Sequence, residues 1–132
     1  MITYSQSLEA VTDADLTGFL AHWDFTPPDG TLLAMLHGST HVILARDESS
    51  STLCGYITAL SDDVVCGYIS AIEVRPTYRH QGIGTALLTQ MTSQLQTYGT
   101  YLSCAPAMAQ FYESQGFKQI TGMSKRRFPS AK

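Results

Sequence analysis

Between its longest strand-like run and its longest amphipathic run, the sequence reads Arg79-His80-Gln81-Gly82-Ile83-Gly84-Thr85-Ala86. The first turn of a helix carries backbone N–H groups without partners inside the helix, and the helix dipole adds about half a positive charge there. Glycines at positions 82 and 84 let a ligand approach the backbone closely. The segment therefore predicts an anion site suited to phosphate, with Arg79 able to add a charge-assisted hydrogen bond.

Two common phosphate-binding loops differ from this segment. A dinucleotide-binding loop has a third glycine and an acidic residue about 20 residues further on, whereas here no acidic residue follows before Glu113. A P-loop has Gly-Lys-Ser/Thr, and the segment contains no lysine.

Strand-like runs dominate the chain before this segment. Short polar turns separate three of them, at residues 41–45, 53–60 and 64–74, and short connections favour antiparallel neighbours. Earlier in the chain, residues 2–5 predict a first strand. Apolar spacing predicts two short helices, at residues 12–20 and 32–38.

Beyond the segment, apolar residues at positions 87, 88, 91 and 95 predict an amphipathic helix that ends near Gly99. A strand at residues 101–103, a helix at residues 107–114 and final strands from Phe117 onward complete the pattern. The sequence thus predicts a mixed α+β fold with a central sheet. Its 132 residues fit a single domain over residues 1–132.

Composition indicates a globular protein, with 44% hydrophobic and 14% charged residues. No apolar run approaches the roughly 20 residues of a membrane helix. The first five residues lack the basic start and apolar core of a signal peptide. We therefore expect a cytoplasmic protein that does not act at a membrane.

The charge is unevenly distributed. The net charge of −3 argues against nonspecific nucleic-acid binding. Residues 1–74 contain ten acidic residues and one basic residue, a charge of −9, whereas residues 75–132 contain one acidic and seven basic residues, a charge of +6. One half could thus attract a cation and the other an anion, unless folding mixes the two halves.

Neither cysteines nor histidines have the spacing of a metal site. The three cysteines are odd in number and far apart, which favours buried free thiols over a disulfide framework, zinc or a catalytic thiol: Cys54, Cys66 and Cys104. The histidines at positions 22, 37 and 41 suit surface or packing roles better than ligation. We expect no metal.

Residues 79–84 resemble the acyl-CoA signature of the GNAT superfamily of N-acetyltransferases, Gln/Arg-x-x-Gly-x-Gly/Ala. Residues 68–79 resemble the family's fourth strand and its Val-x-Pro-x-x-Arg exit, and residues 111–117 its Phe-Tyr-x-x-x-Gly-Phe element. The resemblance is clear over residues 64–120 and thin over residues 1–40. It implies the GNAT fold, a mostly antiparallel sheet flanked by helices, in which the fourth and fifth strands splay apart.

The resemblance implies acetyl-CoA as co-substrate and no metal. Pantetheine would pair with backbone groups near Ile72 and Val74. The pyrophosphate would be held by Arg79 and by the N–H groups of the residues that follow it: His80, Gln81, Gly82, Ile83, Gly84 and Thr85. The reaction would pass an acetyl group to a primary amine by direct attack in a ternary complex.

Two residues are catalytic candidates by the same resemblance. Tyr112 would donate a proton or hydrogen bond to the departing CoA thiolate, or else pack as a core aromatic. Glu73 is the only carboxylate on the fourth strand and is the candidate general base. Strict alternation turns it away from Tyr68 and Ser70 unless a bulge re-aims it, and an ion pair with a residue such as Arg75 is its structural alternative.

Acceptor-binding candidates are Ser70 on the fourth strand and the aromatic residues Trp23 and Phe25, which form either a substrate lid or part of the core. The chain departs from the family at Ala105 and Met108, where an Asn and a small residue are usual. The basic run at residues 125–127 is either a solvated strand end or an aid to the CoA 3′-phosphate.

Other functions stay open at this point. A non-catalytic CoA-binding sensor or assembly module on the same fold is one, and a nucleotide-binding protein is another. The acceptor could be a small molecule or a peptide. Many GNAT proteins are dimers, so the resemblance admits a homodimer.

Overall fold

The computed structural model describes residues 1–127. Five strands form one sheet in sequence order. Neighbouring strands are antiparallel from β1 to β4, and β5 runs parallel to β4. The strands are β1 Ile2–Ser5, β2 His41–Asp47, β3 Thr52–Ser61, β4 Cys66–Val74 and β5 Gly99–Leu102. The predicted α+β fold with a mostly antiparallel sheet is therefore confirmed.

Three α-helices flank the sheet: α1 Thr31–Gly38, α2 Ile83–Gln94 and α3 Ala109–Ser114. Short 3₁₀ turns occupy Asp13–Leu16, Pro76–Tyr78 and Pro106–Met108. No helix among residues 1–127 has the length and apolar character that crossing a membrane requires.

Three predicted element boundaries are wrong. The helix predicted for residues 12–20 is a single 3₁₀ turn, because Gly18 and Leu20 have φ angles of 92° and 66°, which an α-helix cannot contain. Helix α2 ends at Gln94, and Gly99 instead begins β5. The final strands predicted from Phe117 are not found, because residues 117–127 pair with none of the described strands.

Each face of the sheet carries its own core. On one face, α2 packs its apolar stripe, including Leu87 and Met91, against alternate residues of β2 such as Ile43. On the other face, α1 and the N-terminal turns pack against the intervening residues, such as Leu44. Burial of apolar side chains stabilises the fold by about 1.5–3 kcal/mol for each large residue, so both faces hold β4 in place.

A bulge in β4 changes which side chains share a face. Thr58 of β3 pairs with Ala71 while the next residue, Ala59, pairs with Ile69, so Ser70 is the extra residue. Ile69 and Ile72 consequently both lie against the α2 core, and Ala71 lies against the opposite core. The alternation predicted for β4 is thus wrong, and Glu73 shares the face of Tyr68.

Candidate active site

Strands β4 and β5 part before β4 ends. Their pairing runs only as far as Ile69 and Leu102, whereas β4 continues to Val74 with β3 on its other side. A cavity of about 910 Å³ opens beside this free part of β4, and it reaches the start of α2 and the helix α3. All the predicted site residues except Gln81 and Phe25 line this cavity.

The loop before α2 presents backbone donors to the cavity. Gly82 caps the helix with φ 81°, His80 has φ 64°, and the first bond of the helical ladder runs from Ala86 N to Gly82 O at 3.0 Å. Within the described part of the chain, the N–H groups of residues 80–85 donate to no protein acceptor. A Cβ built on Gly82 would meet nothing within 4 Å. The loop is therefore an open set of donors that fits an anionic group.

Arg79 lies across this loop. Its Nε donates to the Val74 carbonyl at 3.3 Å, so the strand acceptor expected to pair with pantetheine holds the guanidinium instead. Its other guanidinium nitrogens bond to no other residue among 1–127, and Arg79 lines the cavity next to the loop. Arg79 thus adds a positive charge to the same end of the cavity.

Tyr112 lies at the opposite wall, on α3. The residue is 8% exposed, and its ring contacts Phe111 and Phe117 edge-on, at centroid distances of 5.0 and 5.9 Å. Burial, and to a lesser extent the neighbouring Cys104, raises the pKa of Tyr112. Its hydroxyl makes no hydrogen bond to another described residue and is not fully buried, and Tyr112 lines the cavity. The raised pKa favours the protonated phenol.

Glu73 is held by hydrogen bonds rather than by a salt bridge to arginine. Its two carboxylate oxygens accept from the Leu20 N–H at 3.1 and 3.2 Å, and Oε1 also accepts from the Tyr56 hydroxyl at 3.0 Å. The side chain is 9% exposed, and His22 Nδ1 lies 3.6 Å from its Oε2. Burial, followed by the Glu73 charge and hydrogen bond, raises the pKa of Tyr56.

The ion pair with Arg75, the structural alternative for Glu73, does not form among the described residues. Arg75 donates to three backbone carbonyls, those of Leu53, Thr17 and Asp15, at 2.6–2.8 Å. Its guanidinium also lies 4.1 Å above the centre of the Phe19 ring. Arg75 therefore fastens the N-terminal turns to the sheet and leaves Glu73 to other partners.

The two aromatic residues predicted on the acceptor side differ in their position relative to the cavity. Trp23 lines the cavity and packs partly against the second core, whereas Phe25 is 52% exposed and lies outside the cavity. Their rings contact each other at a centroid distance of 5.5 Å. Ser70 lines the cavity with its Oγ 2.8 Å from Thr58 Oγ1.

Two further predictions concern the edges of the site. Ala105 and Met108 line the cavity, so apolar side chains lie where the family usually has an asparagine and a small residue. In the basic run at residues 125–127, Arg126 forms a bidentate pair with Asp24 at 2.8 and 3.1 Å, which ties this run to the turn after His22.

Sequence reasoning missed His22, Tyr56 and Arg75 as members of this region. No local spacing could reveal them, because their contacts join residues 17–60 positions apart. The expectation of buried thiols is wrong for Cys66 and Cys104, which are exposed, and correct for Cys54. No group of three or more candidate metal ligands occurs among residues 1–127.

The comparison with known families agrees with this geometry. The sequence model of the acetyltransferase (GNAT) family matches residues 8–117. No curated protein matches the chain.

Solved structures match almost the whole chain. A protein of Deinococcus radiodurans R1 that has been proposed to be an acetyltransferase is 33% identical, with a TM-score of 0.88 over 96% of this chain and 88% of that one. A GNAT family acetyltransferase of Streptococcus pneumoniae TIGR4 is 24% identical, with a TM-score of 0.77 over 96% and 98% of the two chains. The glucosamine-6-phosphate N-acetyltransferase of Arabidopsis thaliana is 14% identical, with a TM-score of 0.67 over 98% and 99%, and shares the fold.

Proposed function

The chain belongs to the GNAT family of acetyltransferases, and on that premise we propose that it transfers the acetyl group of acetyl-CoA to a primary amine by direct attack in a ternary complex. It is an enzyme of the acyltransferase class. One observation carries the proposal. The loop at residues 80–85, whose N–H groups have no acceptor among residues 1–127, lies at the same cavity as Tyr112 and as a carboxylate, Glu73, that has a histidine 3.6 Å away.

The residues present fit acetyl-CoA as co-substrate. The open donors at the start of α2 and the Arg79 guanidinium would hold the pyrophosphate, since both direct positive charge to one point. The free side of β4 would offer backbone groups at Ile72 to the pantetheine amides, and the Val74 carbonyl would join them only when Arg79 releases it. Bound in this way, the co-substrate supplies an activated thioester between β4 and α3.

Tyr112 would assist the leaving group. Its pKa is raised by burial, so it is protonated at the moment when negative charge develops on the thiolate sulfur. A positioned O–H donor stabilises such a charge in the transition state more than in the ground state. The packing of Phe111 and Phe117 on its ring fixes where the hydroxyl points.

Glu73 and the turn at residues 20–23 would form the acceptor side. An amine must lose its ammonium proton before its lone pair can attack. Glu73 provides fixed negative charge beside the place where a cationic amine enters, and Trp23 provides an apolar wall. Ser70 lines the same cavity as a neutral polar contact.

The acceptor is a small molecule or a peptide with a primary amine. A cytoplasmic location and a homodimer stay predictions from the sequence and its family.

Two measurements test the proposal. Calorimetry with CoA, ATP and NAD should show binding of CoA alone among the three. Thiol release from acetyl-CoA across a panel of primary amines should then identify the acceptor. Tight CoA binding without thiol release from any amine would instead favour a CoA-binding sensor, and preference for ATP or NAD would remove the acyl-CoA assignment.

A further inference from the structure

His22 and Glu73 reach one cavity from two distant parts of the chain. His22 Nδ1 lies 3.6 Å from Glu73 Oε2, and both residues line the cavity that contains Tyr112. The His22 side chain is 65% exposed and the Glu73 side chain 9% exposed. The imidazole therefore faces the open space, while the carboxylate lies behind it in the protein.

Glu73 is occupied as a hydrogen-bond acceptor. The Leu20 N–H donates to both of its oxygens and the Tyr56 hydroxyl to one. A carboxylate has about four lone-pair sites, and these contacts use three of them. The histidine lies beside the carboxylate. A proton placed on Glu73 would face donors that already point at it. The carboxylate is thus better built to orient a partner than to take a proton from substrate.

Resting on the proposed function, we propose that His22 accepts the ammonium proton of the acceptor amine and that Glu73 is a positioning residue for the imidazole. A proton on Nδ1 directed at Glu73 leaves the Nε2 lone pair facing the cavity. The present separation of 3.6 Å is an ion-pair contact, slightly longer than a hydrogen bond. Catalytic hydrogen bonds are often long in the absence of substrate and tighten when it binds.

The turn that carries His22 is fixed from both ends. The Arg75 guanidinium binds the Thr17 carbonyl at 2.7 Å, and the Leu20 N–H binds Glu73. The Trp23 N–H donates to the Leu20 carbonyl at 3.2 Å and closes the turn around His22. The backbone on either side of the histidine is therefore held, although its side chain is exposed.

The proton balance of the step is complete. His22 takes one proton from the R–NH3⁺ acceptor, and the freed lone pair forms the C–N bond at the thioester carbonyl. The C–S bond breaks with its electron pair on sulfur. Sulfur gains a proton from Tyr112, which recovers one from the new amide nitrogen. The sum is R–NH3⁺ plus acetyl-CoA giving the amide, CoA thiol and one proton, which His22 returns to water.

A pair of probe amines separates proton removal from every other role of His22. Near neutral pH, n-propylamine is almost entirely ammonium, whereas 2,2,2-trifluoroethylamine is mostly neutral and needs no base before attack. The rate constant for each amine is measured at saturating acetyl-CoA for wild type, His22→Gln, Glu73→Gln and the double variant. His37→Gln is the matched control, because His37 is an exposed histidine on α1.

We expect His22→Gln to lower the n-propylamine rate constant about 100-fold and to leave the trifluoroethylamine value within about threefold. Glu73→Gln should show the same selective loss, about tenfold, and the double variant should be no worse than His22→Gln. The Michaelis constant for acetyl-CoA should not change in any variant. His37→Gln should match wild type with both amines.

His80 and Cys104 also line the cavity, and neither is altered in these variants. Equal losses with both amines, or an unchanged n-propylamine rate in His22→Gln, would overturn the assignment of His22. Calorimetry of the same samples with acetyl-CoA separates the two proposals. Wild type that fails to bind acetyl-CoA overturns the proposed function, and wild type that binds it but releases no thiol with either probe or with any amine of the panel overturns catalysis and, with it, the base.

Discussion

Alanine substitutions at Gly82 and Gly30, compared side by side, separate the effect on phosphate binding from the effect of backbone strain. Each caps a helix in the left-handed region, with φ angles of 81° and 83°, and a Cβ on either would meet no atom within 4 Å. An L-residue in this region costs about 1–2 kcal/mol. Both Gly82→Ala and Gly30→Ala should thus lose about 1 kcal/mol of unfolding free energy, or about 4 °C in Tm.

Of Gly82 and Gly30, only Gly82 borders the cavity between β4 and α3. A methyl group there, or relaxation of the strained turn, would remove one or two N–H contacts to the pyrophosphate. Hydrogen bonds to a charged group contribute about 1.5–3 kcal/mol each, so the Kd for CoA should rise about 10-fold to 100-fold in Gly82→Ala. Gly30→Ala should bind CoA as wild type does.

The assay is titration calorimetry with CoA at a temperature where both variants are folded. A Gly82→Ala protein that loses stability like Gly30→Ala but keeps the wild-type Kd would refute the role of this loop.

Three other perturbations have defined outcomes. Tyr112→Phe should lower kcat about 100-fold in steady-state kinetics. The Michaelis constant for acetyl-CoA should stay the same, because the lost O–H acts only in the transition state. An unchanged kcat would remove Tyr112 from the mechanism. Arg75→Lys should lower the free energy of unfolding in urea by about 1–3 kcal/mol, because an ammonium group cannot hold these three carbonyls at once. Arg46→Lys is the control. Equal losses of stability in the two variants would contradict the special role of Arg75. The third perturbation is alkaline pH. The folded-state pKa values of Tyr56 and Tyr112 are raised above 10.0, so the stability they contribute is fully present below that pH and is lost as the pH rises beyond it. In Tyr112→Phe, the unfolding free energy should therefore fall less steeply with rising pH in this alkaline range than in wild type. An equal slope of free energy against pH in the two proteins would show that the burial of Tyr112 has no such effect.

The loop before α2, which we propose binds CoA, could be predicted from the sequence because its parts are local. The exit of β4, the glycine loop and the start of α2 are contiguous, and residues 68–86 therefore carry the geometry in their own order. Tyr112 was also predictable, since Gly116 and Phe117 mark the end of its short helix. The φ of 95° at Gly116 is a conformation that favours glycine over other residues there.

The bulge at Ser70 could not be predicted, because it is a property of the pairing between β3 and β4. Alternation along β4 alone turns Glu73 to the wrong face. Once Ser70 is the extra residue, Glu73 reaches Tyr56 and the Leu20 N–H on the face opposite α2. The register of a sheet depends on both strands, so a single strand's pattern cannot reveal where it slips.

The acceptor side depends entirely on contacts between distant residues. Leu20 and Glu73 are 53 positions apart, and Arg75 reaches back 60 positions to Asp15. The turn between these anchors, residues 18–25, contributes no residue to the phosphate loop or to α3. Under the proposed function, acceptor choice would change through substitutions in this turn while CoA binding is preserved. Strand β4 borders both regions: its edge beyond Ile69 is free of β5, and its Glu73 side chain accepts from the Leu20 N–H of this turn.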